Sequence, residues 1–122
     1  MYKIINIGEK QVPVLATAST NVYFKHIFGD DPIVIQSSDA YDTSQRISFA
    51  HRLAFVIARQ AQAQDDVNAG KAASIRDSMQ GVSEDDYIDW LDGIDFSDLQ
   101  EALGDVMEVY AGAKATSKAK KE

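Results

Sequence analysis

The chain has no cysteine, so the side chains best suited to metal binding or general-base work are its two histidines, His26 and His51. His26 lies in the stretch YFKHIFGDDP, four and five residues before Asp30 and Asp31. Together these three could bind a cation through one nitrogen and two carboxylates. Neither histidine has a second histidine at ligand spacing, and paired aspartates after a helix more often cap or solvate its end. No metal is therefore expected. A serine, histidine and aspartate can be picked from any chain this rich in serine and aspartate, but no G-x-S-x-G supports a triad. No Walker A or G-x-G-x-x-G loop is present for phosphate. The carboxylates are scattered over helical, solvent-facing positions, so no acid/base pair stands out. The expectation is a protein that is not an enzyme and has no cofactor.

The elements that would position these residues can be read from the spacing of apolar side chains. Tyr2 to Ile7 and Val12 to Leu15 read as the strands of a hairpin around Gly8, with Pro13 on an edge or in a bulge. Ser19 or Thr20 caps a short helix with Tyr23 and Ile27 on one face and Phe24 and Phe28 beside them. Gly29 suits a left-handed stop, and Pro32 a break. A central helix runs from Thr43 to about Gln62 on the stripe Ile47, Ala50, Leu53, Ala54, Ile57 and Ala61. Residues 65–81 read as a flexible insertion with a weak helix. Ser83 opens a segment bearing Tyr87, Ile88, Trp90 and Leu91. Ser97 with Gln100 forms a capping box for a last helix, on Leu99, Leu103, Val106 and Tyr110. Gly104 implies a close neighbour, Gly112 an end, and residues 113–122 a disordered lysine-rich tail. The fold expected is mainly α (α+β). A small N-terminal β-hairpin (2–16) precedes four or five short helices around a central one (19–112), all in one domain, 1–112.

Charge narrows the partners. The 122 residues carry a net charge of -7, which argues against a nucleic-acid backbone. From Glu84 to Glu108 there are ten acidic residues and no basic one. The plain reading is a solvated face partly neutralised by Arg46, Arg52 and Arg59; the functional one is a docking face for a basic partner. The segment MYKIINIGEKQ lacks the basic start and apolar run of a signal peptide, and the longest apolar run is far below the ~20 residues that span a bilayer.

In order along the chain, VPVLATASTNVYFKHIFGDDPI, RISFAHRLAFVIARQA and SEDDYIDWLDGIDFSDLQEALGDVMEVYAG, with the lysine-rich end, resemble the tail assembly chaperones of long-tailed bacteriophages and prophages. The resemblance covers most of the chain. Asp30 departs from it, since relatives often have a basic residue there, and residues 65–81 look inserted. The resemblance implies a protein of the bacterial host cytoplasm that binds the tape-measure protein, keeps it soluble and helps recruit tail tube subunits, and that is absent from the finished virion. It also implies self-association. In many relatives a ribosomal frameshift near the end of the reading frame makes a longer form that engages the tail tube protein, and codons for Lys120 and Lys121 are compatible with one. Neither nucleic acid nor membrane is an expected partner. Client-binding candidates are Phe24, Phe28, Trp90 and Tyr110, although each ring taken singly reads more simply as core. The other reading is a small acidic adaptor or inhibitor, even a DNA mimic, acting through residues 84–108.

Overall fold

A computed structural model of the chain describes residues 1–40 and 42–119, with residues 114–119 described by their backbone. It is mainly helical, with an N-terminal two-stranded antiparallel hairpin followed by six helices among the described residues. Strand β1 is Tyr2–Ile7 and β2 is Lys10–Leu15. Only Gly8 and Glu9 separate them, with Ile7 paired to Lys10. Gly8 has φ 63° and no described non-glycine residue, Glu9 included, has positive φ, the pattern of a type II′ turn. Pro13 is paired with Ile4 without a bulge. Ladder alternation from the tight turn points its missing amide away from β1, so it costs no bond there. Ile5, Ile7 and Val14 line the buried face of the hairpin, whereas Tyr2 and Ile4 face outward.

Helix α1, Thr20–Phe28, ends at Gly29, whose φ of 80° lets its amide bond the Lys25 carbonyl at 2.8 Å. Pro32 does not simply break the chain. It opens a further helix, α2, Pro32–Ser37, because Asp31 Oδ1 accepts from the Ile33 amide at 2.9 Å and a proline at N1 forfeits no helical bond. Helix α3, Thr43–Asn68, starts in a capping box of Asp42 and Gln45. It continues six residues past the expected end at Gln62, across QDDVN, where apolar periodicity fades. Packing sustains that last part: α4, Ile75–Met79, lies against α3, and Ser78 Oγ donates to Asp66 Oδ2 at 3.1 Å. Residues 65–81 are thus the end of α3, a turn at Gly70 and the short α4.

Helix α5 is Glu84–Asp92 and α6 is Phe96–Ala119. The cap of α6 is Asp95, not Ser97: its Oδ1 accepts from the Ser97 amide at 2.9 Å and the Asp98 amide at 3.3 Å. Gln100 turns instead to His51 Nε2, 2.6 Å away. Gly104 has open space where a Cβ would stand, so no neighbour explains it. Within α6 it is Gly112 that has a close neighbour, the Met1 sulfur, and the helix passes straight through it. Residues 113–119, expected to lack structure, are helical; their alanines and lysines are good helix formers. Lys120 to Glu122 lie outside the described residues.

The core lies where β2 packs on α3 and β1 on α6. Leu53, Val56 and Ile57 from α3 meet Leu99, Val106 and Val109 from α6 under the hairpin. A polar pair, Thr20 and Gln60, is sealed within it. Gln60 Oε1 accepts from the Thr20 hydroxyl at 2.7 Å, and Gln60 Nε2 reaches Thr17 Oγ1 at 3.3 Å. That bond ties the start of α1 to the middle of α3, and with both groups buried it satisfies what would otherwise cost stability.

Candidate functional site

The four aromatic candidates belong to one run of rings. Tyr110 meets Phe49 at 6.4 Å between centroids, Phe49 meets Phe24 at 5.2 Å, and Phe24 meets Phe28 at 5.1 Å. Phe28 meets Tyr87 edge-on at 5.2 Å, Tyr87 meets Phe55 at 5.6 Å, and Phe55 meets Trp90 at 5.7 Å. Each such pair adds ~0.5–1.5 kcal/mol beyond its buried area. The run starts in the interior and ends at the surface. Phe24 is 0% and Tyr110 3% exposed, so neither ring is available to a partner in this fold. Phe28 and Trp90 are half-buried. Tyr110 is further fixed by its hydroxyl, which donates to Asn21 Oδ1 at 2.6 Å and accepts from Gln36 Nε2 at 3.0 Å. The joints Phe55 and Tyr87 were visible in the sequence only as members of apolar stretches; nothing in their spacing marked them as links.

Arg52 covers the middle of this run. Its guanidinium stands 5.1 Å from the Phe24 centroid and 5.4 Å from that of Phe28, and Nη1 pairs with Asp30 at 2.9 Å. Asp30 is thus spent on Arg52 and Asp31 on the α2 cap, while the His26 side chain is exposed. The three do not converge, and no cluster of three or more potential metal ligands occurs among the described residues. His51 sits against Phe96 and Gln100.

Helix α5 has no fully buried residue, yet Tyr87, Trp90 and Leu91 pack their inner edges on the core. Burial raises the Tyr87 phenol above its ordinary 10.0; Arg52 opposes this and Glu84 adds to it. Trp90 stands where three open depressions meet. One of ≈ 690 Å³ runs to the hairpin tip at Gly8 and Lys10, one of ≈ 300 Å³ lies between β2 and α3, and one of ≈ 520 Å³ reaches Val82. Together they make a channel with apolar walls at Val12, Pro13, Phe55 and Trp90. Arg59 crosses its floor and donates through Nη2 to the Ser78 carbonyl at 2.9 Å, while Lys10 Nζ donates to the Gly93 carbonyl at 3.2 Å.

The acidic run forms no ion pair with Arg46, Arg52 or Arg59 among the described residues. Arg52 serves Asp30, Arg59 serves Ser78, and among the described residues no carboxylate from Glu84 to Glu108 has an ion-pair partner. No described helix is long and apolar enough to cross a membrane. Comparison with protein-family models, curated proteins and solved structures returned no match.

Proposed function

We propose that this chain is a tail assembly chaperone that holds the tape-measure protein as an extended helical client in the host cytoplasm, until tail tube subunits enclose it. The observation that carries the reading is the half-open channel at Trp90, an apolar trough beside a helix whose aromatic face is not fully covered. A client made of amphipathic helices needs such troughs for its apolar stripes. The order of sequence blocks supports the same reading, and the net charge of -7 would keep a loaded complex soluble. Self-association on one long client, and a frameshift-extended form that engages the tail tube protein, belong to this proposal. Sequencing the gene for a slippery heptamer with an overlapping frame tests the latter.

A second reading is favoured by the unpaired carboxylates of residues 84–108: an acidic adaptor or inhibitor, including a DNA mimic. Salt separates the two. Binding of tape-measure fragments that survives about 0.5 M salt supports a trough gripping apolar stripes, where the Debye length is only a few ångströms. Binding to a basic partner that vanishes under the same conditions, with no hold on the fragments, supports the mimic.

A further inference from the structure

The channel has a direction. Its floor is the α3 stripe Phe55, Ala58, Arg59 and Gln62, which runs out to the rim carboxylate Asp65, ten residues along from Phe55, or about 15 Å of helix axis. Trp90 of α5 and Val12 with Pro13 of β2 complete its lining. Three turns of a second helix laid along this floor would bring anchors at i, i+3 or i+4, and i+7 onto it. A strand is poorly served, because an added strand bonds to a row of free backbone amides. The floor is helix side chains, and the nearest strand carries Pro13, which has no amide to give.

The rim chooses the charge of the occupant. Six carboxylates line the three depressions: Glu9, Asp65, Asp86, Asp89, Asp95 and Asp98. Against them stand Lys10 and Arg59, each already donating to a backbone carbonyl of the chain. None of the six carboxylates is ion-paired among the described residues. We infer that the Trp90 channel takes an amphipathic α-helix whose aliphatic stripe is flanked by Lys or Arg. Taking that helix as a piece of the tape-measure client rests on the chaperone reading; its chemistry does not. The apolar stripe supplies the part of the affinity that salt leaves alone, and the flanking cations supply selection and speed of encounter.

Trp90 is the one tryptophan in the chain, so its emission reports occupancy without a label. The probes are two alanine-rich peptides of about 20 residues, beyond the ~12–15 below which an isolated helix is marginal in water. Both carry leucines at the anchor spacing, one with lysine flanks and one with glutamate flanks. The full chain should bind the lysine peptide with a saturable shift in emission and a heat of titration. The glutamate peptide should bind roughly tenfold or more weakly at low salt, the gap closing as salt rises. Asp65 and Asp89 are exposed and neither caps a helix, so the double variant Asp65→Lys/Asp89→Lys keeps the fold and should shift the preference toward the glutamate peptide. Equal binding of both peptides, or neither emission shift nor heat with either, overturns the inference. If the tape-measure client is nevertheless held soluble, the chaperone reading outlives it. If the lysine peptide binds selectively and the client is not held, the channel chemistry stands and the chaperone reading falls.

Discussion

Replacing Phe24 with alanine separates a core role from a client-binding one. Phe24 is wholly buried, with the Phe28 and Phe49 rings at 5.1 and 5.2 Å and the Arg52 guanidinium at 5.1 Å. Burial alone places the cost of Phe→Ala at ~3–5 kcal/mol. The upper half applies, because two ring contacts and a cation over the ring go with it, and Arg52 Nε is already buried without a hydrogen-bond partner. Against a total stability of ~5–15 kcal/mol, a loss of about 4 leaves a marginal protein. Its Tm should fall by roughly 12–20 °C for a domain of this size. The assay is urea and thermal unfolding followed by Trp90 emission, with Trp90→Ala followed by circular dichroism as the comparison. Trp90 is half-buried and should cost only ~1–2 kcal/mol. If Phe24→Ala stays within about 1 kcal/mol of the parent, the buried placement of that ring is wrong. If it also loses client binding, Phe24 is a surface contact and the aromatic run has been read backwards.

Three further outcomes follow from single sites. Gln60→Leu leaves the Thr20 hydroxyl buried without its acceptor and should cost ~1–3 kcal/mol in urea unfolding. The double variant with Thr20→Val should recover only part of that, because the Thr17 amide also donates to the Thr20 hydroxyl at 2.9 Å, and a cycle with no coupling would refute the bond. The folded state holds the Tyr87 proton above the ordinary 10.0, so its contribution is fully present below that pH and is lost as pH rises past it. Tyr87→Phe should therefore lose less stability than the parent between neutral pH and about pH 11, and parallel profiles would contradict the burial of the phenol. Gly8→Ala should cost ~1–2 kcal/mol, since φ of 63° suits no β-carbon and the added carbon would overlap the Asp98 carboxylate. Gly8→Asn should cost less than alanine, because asparagine tolerates that region, and an equal cost would point to the overlap rather than the turn.

The hairpin, the Gly29 stop and the buried stripe of α3 were legible in the sequence because each follows from a local rule: strand alternation, a left-handed glycine, helical periodicity. Helix α2 was not, because Pro32 ends one helix and begins another equally well, and only the Asp31 side chain settles which. Asp95 and Ser97 are both good caps two residues apart, and choosing between them requires knowing where the backbone turns. The extension of α3 through Asn68 rests on α4, a tertiary partner that periodicity cannot reveal. The close neighbour expected at Gly104 stands instead at Gly112, which ends no helix, because that neighbour is Met1, at the far end of the chain. Aromatic type was enough to pick out Phe24, Phe28, Trp90 and Tyr110, and not enough to divide them. Phe24 and Tyr110 are interior, Phe28 is intermediate, and Trp90 stands at the channel. The channel itself needs β2, α3 and α5 side by side, so no stretch of sequence contains it.

The measurement that bears most directly on the chaperone reading is co-expression of this chain with the tape-measure protein of the same genome. Client in the soluble fraction is compared with and without the chain, and with the Trp90→Ala variant. The account predicts a client that is soluble only with the chain, that co-elutes with several copies of it at high salt, and that is lost with the variant although the variant stays folded. A client that precipitates equally in all three cases would contradict it.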